Sequence, residues 1–279
     1  MTKLINRHPG RILRVLLGAL PFVLLIGLYM WGSEQRLQAN PNDKLLPAPA
    51  TIVSTVERLA FEPSKRSGDY LLWADTAASL KRLAVGVAVG ALIGLLFGVV
   101  NGALPLAHAN FSPIVTAVSL IPPMAILPVL FIIFGLGELS KVVLIVIGIT
   151  PVLIRDLQQR VLEIPREQLI KAQTLGANSW QIIVRVVLPQ TMPRLLDSVR
   201  LALGPAWLFL IAAEAIAATE GLGYRIFLVR RYLAMDTILP YVVWIALLAF
   251  VLDWLLRRVS RRLWPWYHSQ TGQRAAAAT

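Results

Sequence analysis

The sequence predicts an all-α membrane protein with about six transmembrane helices, and two observations carry that prediction. Of the 279 residues, 57% are apolar and only 15% charged, with a mean hydropathy of +0.67. Soluble domains hold about 25% charged and about 45–50% apolar residues. The second observation is a run of 55 residues without a formal charge, from Leu83 to Gly137. As one helix, at about 1.5 Å per residue, it would measure about 80 Å, against a bilayer core of about 30 Å. The run therefore folds back within lipid. A single soluble domain, a disordered chain and a one-pass anchor are excluded.

Six spans follow in order: Val15–Trp31, Leu83–Asn101, Phe111–Phe134, Leu139–Leu157, Leu201–Thr219 and Thr237–Leu256. The fourth and fifth are short or interrupted. Only 13 uncharged residues lie between Lys141 and Arg155, and Glu214 divides the fifth. Snorkelling end charges extend such segments to the roughly 20 residues a span requires. The first span has a basic front, but its apolar stretch exceeds the 7–15 residues of a secretory signal. No A-x-A site follows Trp31, so a retained helix is expected.

Six spans place both termini on one side. With the termini cytoplasmic, 16 of the 27 basic residues fall inside and 11 outside, as the positive-inside rule requires. Lys81–Arg82 and Arg230–Arg231 fall on the wrong side. The net charge of +12 is thus mainly a topology signal, and nucleic acid is not an expected partner. With no cysteine there is no disulfide or thiolate metal site. His8, His108 and His268 show no ligand spacing, and neither a phosphate-loop pattern nor GxGxxG is present. No metal site, no cofactor in this chain and no catalytic residue are expected.

The chain divides into residues 1–32, an N-terminus with the first helix, and residues 33–75, a proline-rich polar segment on the outer side. Within that segment Ile52, Val53, Val56, Leu59 and Ala60 recur at helical spacing, predicting an amphipathic helix over Ala50–Phe61 at the membrane surface. Residues 76–265 form a five-helix core, and residues 266–279, ending in Ala275–Ala278, a disordered tail.

Three features of the core point to a mechanism. Gly86, Gly90, Gly94, Gly98 and Gly102 stand at strict four-residue spacing, a bare face for close packing against another helix of this chain or of a partner. Pro122, Pro123 and Pro128 interrupt an apolar helix. Broken helices at membrane depth line protein-enclosed or water-filled routes, or simply shape packing. A polar stretch within 158–194 holds two short helices. One runs over Arg166–Leu175 and stops at Gly176. The other starts at Asn178 or Ser179, presents Ile182, Ile183, Val186 and Val187, and ends at Leu188–Pro189. An apolar face without spanning length requires a partner or the inner leaflet.

These residues resemble a known family. Lys171-Ala172-Gln173-Thr174-Leu175-Gly176-Ala177, with Ile182-Ile183 and Leu188-Pro189 after it, is similar to the EAA loop of ABC importer permeases. Ile121-Pro122-Pro123, Leu127-Pro128, the run Phe134–Lys141 and Gly221-Leu222-Gly223-Tyr224 resemble the nitrate/sulfonate/taurine/bicarbonate branch. The resemblance covers about Leu46 to Arg262. It implies a type I importer permease with a MetI-like core in the bacterial inner membrane. It also implies coupling residues Ile170, Lys171, Ala172, Leu175, Gly176, Ala177, Ile183, Leu188 and Pro189. The implied partners are an ABC ATP-binding subunit that holds ATP and Mg, a second permease copy, a periplasmic binding protein and membrane lipid. Where the family has Glu-Ala-Ala, this chain has Ile170-Lys171-Ala172, so the ionic part of that contact is altered. The stretch Ile164–Gly176 is also similar to a subgroup handling urea- and guanidine-type nitrogen compounds.

Glu214 is costly at mid-span, about 2.5–3.5 kcal/mol on insertion scales. It is expected either in the pathway or in an interhelical hydrogen bond that fixes two permease copies. Asp253 and Arg257 form an i,i+4 pair and Glu138 and Lys141 an i,i+3 pair, and His108 falls at a solvated inner turn. The alternative function is an ion- or proton-coupled secondary transporter using Glu214, for which the polar helix pair has no purpose. An intramembrane enzyme lacks any nucleophile–base or metal constellation.

Overall fold

The structure is a computed structural model that describes residues 10–41, 43–65 and 68–269. The described residues contain helices and no strand. The disordered tail was expected over residues 266–279, but residues 265–269 are helical and Tyr267 Oη donates to Asp197 at 2.9 Å, so order extends past 266. Residues 270–279, like Lys3 and Arg7, lie outside those described. Two compact units are present, Met1–Tyr70 with Val229–Tyr241, and Leu71–Leu228 with Val242–Thr279.

In the first unit, α1 (Arg11–Ala39) is the predicted first span, and its apolar window is wholly exposed in the isolated chain. After α1 the chain doubles back. Tyr29 Oη donates to the Pro47 carbonyl at 2.7 Å, and Ser33 Oγ donates to the Leu46 carbonyl at 3.0 Å. Helix α2 (Pro49–Phe61) starts on a proline, whose fixed φ and missing donor suit the first turn. Its buried residues are Thr55, Leu59 and Ala60, and Thr55 Oγ1 donates to Asp236 at 3.1 Å. The predicted amphipathic helix is present, but the chain itself covers much of its inner face.

The second unit is built on α3 (Leu71–Ala103) and α6 (Glu138–Leu162). A Cβ added at Gly86, Gly90, Gly94, Gly98 or Gly102 would fall 2.6–2.9 Å from Ile145, Ile149, Leu153, Leu157 and Val161 in turn. Both helices advance four residues per contact in the same direction, so α3 and α6 run parallel and in register at backbone-limited distance. The glycine face is therefore covered within this chain, which removes it as support for contact with a second copy. Leu144, Ile145 and Leu157 have no exposed surface.

Parallel alignment decides what lies between them. Helices α4 (Pro105–Ser119) and α5 (Pro123–Phe134) meet at 93°. The chain leaves α3 at one end and enters α6 at the other, so this bent pair traverses the helix length. It is a broken span, not a re-entrant loop. The break follows from Pro122-Pro123. A residue before proline is pushed out of the α region, and Pro122 sits at φ −64°, ψ 119°. Pro128, expected among the interruptions, lies inside α5 without breaking it.

Helices α7 (Arg166–Thr174) and α8 (Ser179–Ile182) follow. Then a wide π turn over Ile183–Val187 leads into α9 (Leu188–Ala217). Leu188–Pro189 was expected to end a helix, and the structure corrects this. The Leu188 N–H bonds back five residues to Ile183, and the wider turn absorbs the missing donor and ring of Pro189. Helices α10 (Leu222–Arg230) and α11 (Met235–Leu263) complete the order. Among the described residues four helices, α1, α3, the α8–α9 rod and α11, are long and apolar enough to cross a membrane, and the bent pair, counted as one span, makes a fifth. Helix α6, expected as a span, runs beside α3 along five contacts but is not among these apolar helices.

Candidate functional site

The polar helix pair is fixed by two end motifs in succession. At the end of α7 the Ala177 N–H reaches the Ala172 carbonyl at 3.0 Å, and the Gly176 N–H reaches Gln173 at 2.9 Å. This Schellman arrangement needs a left-handed residue, and Gly176 supplies it at φ +84°. One residue later Asn178 caps α8. Its side chain accepts from the Gln181 N–H at 2.8 Å, and the Gln181 side chain accepts from the Asn178 N–H at 2.9 Å. Both predicted boundaries, Gly176 and Asn178, are observed.

The apolar residues of this loop divide into two sets. Ile182, Ile183 and Leu188 pack with Leu169 against a core of Val99, Val161, Ile164 and Val187. They hold the loop to the α3–α6 body. Facing away, Ile170 is 56% exposed, Leu175 88% and Trp180 72%, and a Cβ on Gly176 would meet nothing within 4 Å. Lys171 is exposed, and Ala172 and Ala177 are half-buried. The sequence grouping of Ile183 and Leu188 with Leu175 is thereby split into anchoring and outward-facing residues; Pro189 stands at the start of α9. Trp180, absent from that grouping, is the largest outward side chain of the pair, and a tryptophan beside a helix cap was the signal.

A second constellation assembles sequence motifs far apart in the chain. Glu214 on α9 has no exposed surface. It accepts from Arg82 Nη1 at 2.7 Å, Ser79 Oγ at 2.8 Å and the Gly223 N–H at 2.9 Å. Arg82 also grips Glu138 with Nε and Nη2 and donates to the Glu220 carbonyl at 2.9 Å. Lys141 Nζ pairs with Glu138 at 2.8 Å, the expected i,i+3 contact. On the same face of α3, Asp75 accepts from the Gly221 N–H at 2.9 Å and pairs with Arg225 at 2.8 Å. Ser79 Oγ accepts from the Leu222 N–H at 2.9 Å.

Thus three consecutive N–H groups, 221 to 223, end on α3 and α9 side chains. The glycines are required there: a Cβ at Gly221 would sit 2.6 Å from the Glu214 carboxyl, and one at Gly223 2.6 Å from the Ile211 carbonyl. Arg82 was counted as an outer-loop charge and is instead an internal ion partner with 3% of its side chain exposed. Glu214 is bonded within its own chain, which differs from the expected bond between two copies.

Other expectations fare as follows. Asp253 pairs with Arg257 at 2.8 Å and also with Arg200 at 2.8 Å. His108 is not at a solvated turn. Pro105 starts a helix there, and His108 Nδ1 lies 3.2 Å from Gln158 Nε2. Pro122 and Pro123 form the exposed-to-half-buried corner of the bent pair, and Pro128 is exposed. Among the described residues no group of three His, Cys, Asp or Glu side chains could hold a metal ion.

Residues 86–265 match the family model described as "Binding-protein-dependent transport system inner membrane component". The chain belongs to this family. It is 34% identical over 244 residues, 88% of each chain, to the taurine transport system permease protein TauC of Escherichia coli. It is 33% identical over 248 residues to the riboflavin transport system permease protein RibX of Chloroflexus aurantiacus, covering 88% of this chain and 89% of that one. A chain of the MetNI methionine ABC transporter, solved in inward-facing conformations, matches with a TM-score of 0.62 at 24% identity. The match covers 71% of this chain and 98% of that chain. The expected fold and family are therefore observed: a multi-pass inner-membrane permease of the ABC importer family.

Proposed function

We propose that the chain is the translocating subunit of an ATP-driven importer of small organosulfonates. In this proposal Ile170, Leu175 and Trp180 dock a separate ATPase subunit. One observation carries it: apolar side chains 56–88% exposed on a loop whose backbone is locked by a Schellman motif and a capping box. Rigid, exposed apolar residues of this kind are the mark of a binding surface. In this reading the ATPase holds ATP and Mg, two permease copies face each other, and a periplasmic binding protein delivers cargo. Both termini are cytoplasmic. Closure of the ATPase dimer pushes the helix pair, and α6 and α9 carry the displacement into the membrane.

The cargo is read from the match to a taurine permease. A match of similar identity to a riboflavin permease means that similarity by itself does not choose it. A proton-coupled alternative needs an available intramembrane carboxylate, and Glu214 is engaged by three donors. The test is co-purification in mild detergent from the native membrane. Wild type retains a stoichiometric ATPase and Leu175→Glu/Trp180→Glu loses it, while both chains melt at the same temperature. A wild-type chain that purifies without an ATPase yet moves solute under a proton gradient overturns the proposal.

A further inference from the structure

A polar seam of about 510 Å³ lies between α4 and α6, lined by Ser112 and Thr116 on one side and Arg155, Asp156, Gln158 and Gln159 on the other. A second groove of about 610 Å³ along α4 shares Ser112 and Thr116. Helix α4 is two-faced. His108, Ser112, Thr116 and Ser119 fall at i, i+4, i+8 and i+11, one stripe, while Ile114 and Val118 are exposed on other faces. Polar side chains along a spanning helix face protein or water, and a charge at the end of such a stripe sets the sign of the solute it attracts.

The charge is Arg155. It is exposed, and its polar contact among the described residues is the Ser119 hydroxyl at 3.0 Å. The neighbouring Asp156 also lines the seam, but its carboxylate is bonded to Ser198 and lies 3.5 Å from Arg160, and it makes no ion pair with Arg155 among the described residues. Gln158 is likewise engaged, accepting from Asn101 at 2.7 Å. What remains toward the seam is a guanidinium with hydroxyls opposite it. Its planar fork of donors suits two oxygens of one anionic group, and a cationic guanidine-type solute would meet like charge.

We propose that this seam is a solute subsite selective for organic anions, with Arg155 as its binding residue and the hydroxyls of Ser112 and Thr116 completing the contact. The inference rests on the importer proposal only for the identity of the cargo. Because the chain has no cysteine, single cysteines report the seam directly. Ser112→Cys and Thr116→Cys chains in native membranes are treated with an anionic methanethiosulfonate, itself an ethylsulfonate, and with its trimethylammonium counterpart.

Both positions are expected to react from water, with the anionic reagent favoured. Arg155→Gln lowers that preference about fivefold at low salt, the effect of one nearby unit charge on probes of opposite sign in a water-like dielectric; Arg155→Lys keeps it. Unreactive cysteines at 112 and 116, beside a reactive Leu175→Cys control, overturn the inference. So does a preference that Arg155→Gln leaves unchanged. The labelling needs neither ATPase nor transport, so loss of the ATPase partner would sink the importer proposal and leave this result standing.

Discussion

Arg82 and Glu214 are mutually dependent to unequal degrees, and the structure says by how much. Glu214 is completely buried and, among the described residues, has three donors, of which Arg82 is the charged one. Replacing Arg82 with methionine leaves a carboxylate in the bundle with a hydroxyl and one N–H. Breaking a buried pair in this way costs about 3–5 kcal/mol. Replacing Glu214 with glutamine is milder, because Arg82 keeps its two-point grip on Glu138, whose side chain is 63% exposed. The penalty is one mismatch. Whichever way the new amide is turned, its NH₂ faces a donor, either Arg82 or the Gly223 N–H, at about 1–3 kcal/mol. The double variant Arg82→Met/Glu214→Gln removes the stranded charge and is expected to be less damaged than Arg82→Met. The assay is the melting midpoint of the detergent-purified chain, followed through its tryptophans. The expected order of loss is Arg82→Met first, then the double variant, with Glu214→Gln retaining assembly. Equal effects of the two single changes, or an additive double, would refute the reasoning.

Three further outcomes are expected. Gly94→Ala and Gly98→Ala place a Cβ 2.7 Å from the Cβ atoms of Leu153 and Leu157, which rotamer changes cannot move; the overpacking costs about 1–3 kcal/mol. Gly18→Ala, with nothing within 4 Å, leaves the same melting curve unshifted. Gly176→Val forces a branched residue to φ +84°, at a cost of about 1–2 kcal/mol. ATPase retention then falls without loss of the membrane fold, as read by co-purification and circular dichroism. Pro122→Ala/Pro123→Ala releases the bias that turns α4 from α5, so spin labels on cysteines at 114 and 130 move apart in distance measurements.

Much of this was legible because lipid simplifies the problem. Long apolar runs gave spans, and four-residue glycine spacing gave the face that meets α6. Gly176 and Asn178 gave both ends of the loop helices, since end motifs are local and depend on one or two residues. The misreadings were non-local. Arg82 looked like a loop charge because hydropathy counts it alone, although Asp75, Ser79, Arg82 and Gly86 recur at 4, 3 and 4 residues along one stripe. Their partners, Glu214 and residues 220–225, are more than 130 positions away. Pro189 looked like a helix end because a π turn is a response to proline that spacing does not announce. The two sets of loop apolar residues carry the same periodicity, and only the position of Val99 and Val161 shows which set is turned inward.

The same contacts determine which parts can move together. The loop pair sits between the end of α6 and the start of α9. Helix α6 is bound to α3 by five backbone-limited glycine contacts, and α9 is bound to α3 at its other end through Glu214, Arg82 and Ser79. A push on the loop therefore moves α3, α6 and α9 as one block, because none can shift against another without breaking tight packing or a buried ion pair. Helix α4 has no buried residue, and its corner with α5 is set by two prolines. Relative motion is least costly there, along the wall of the seam that holds Arg155. In the proposed import cycle, that is the wall whose movement would change the exposure of the seam while the coupled block stays intact.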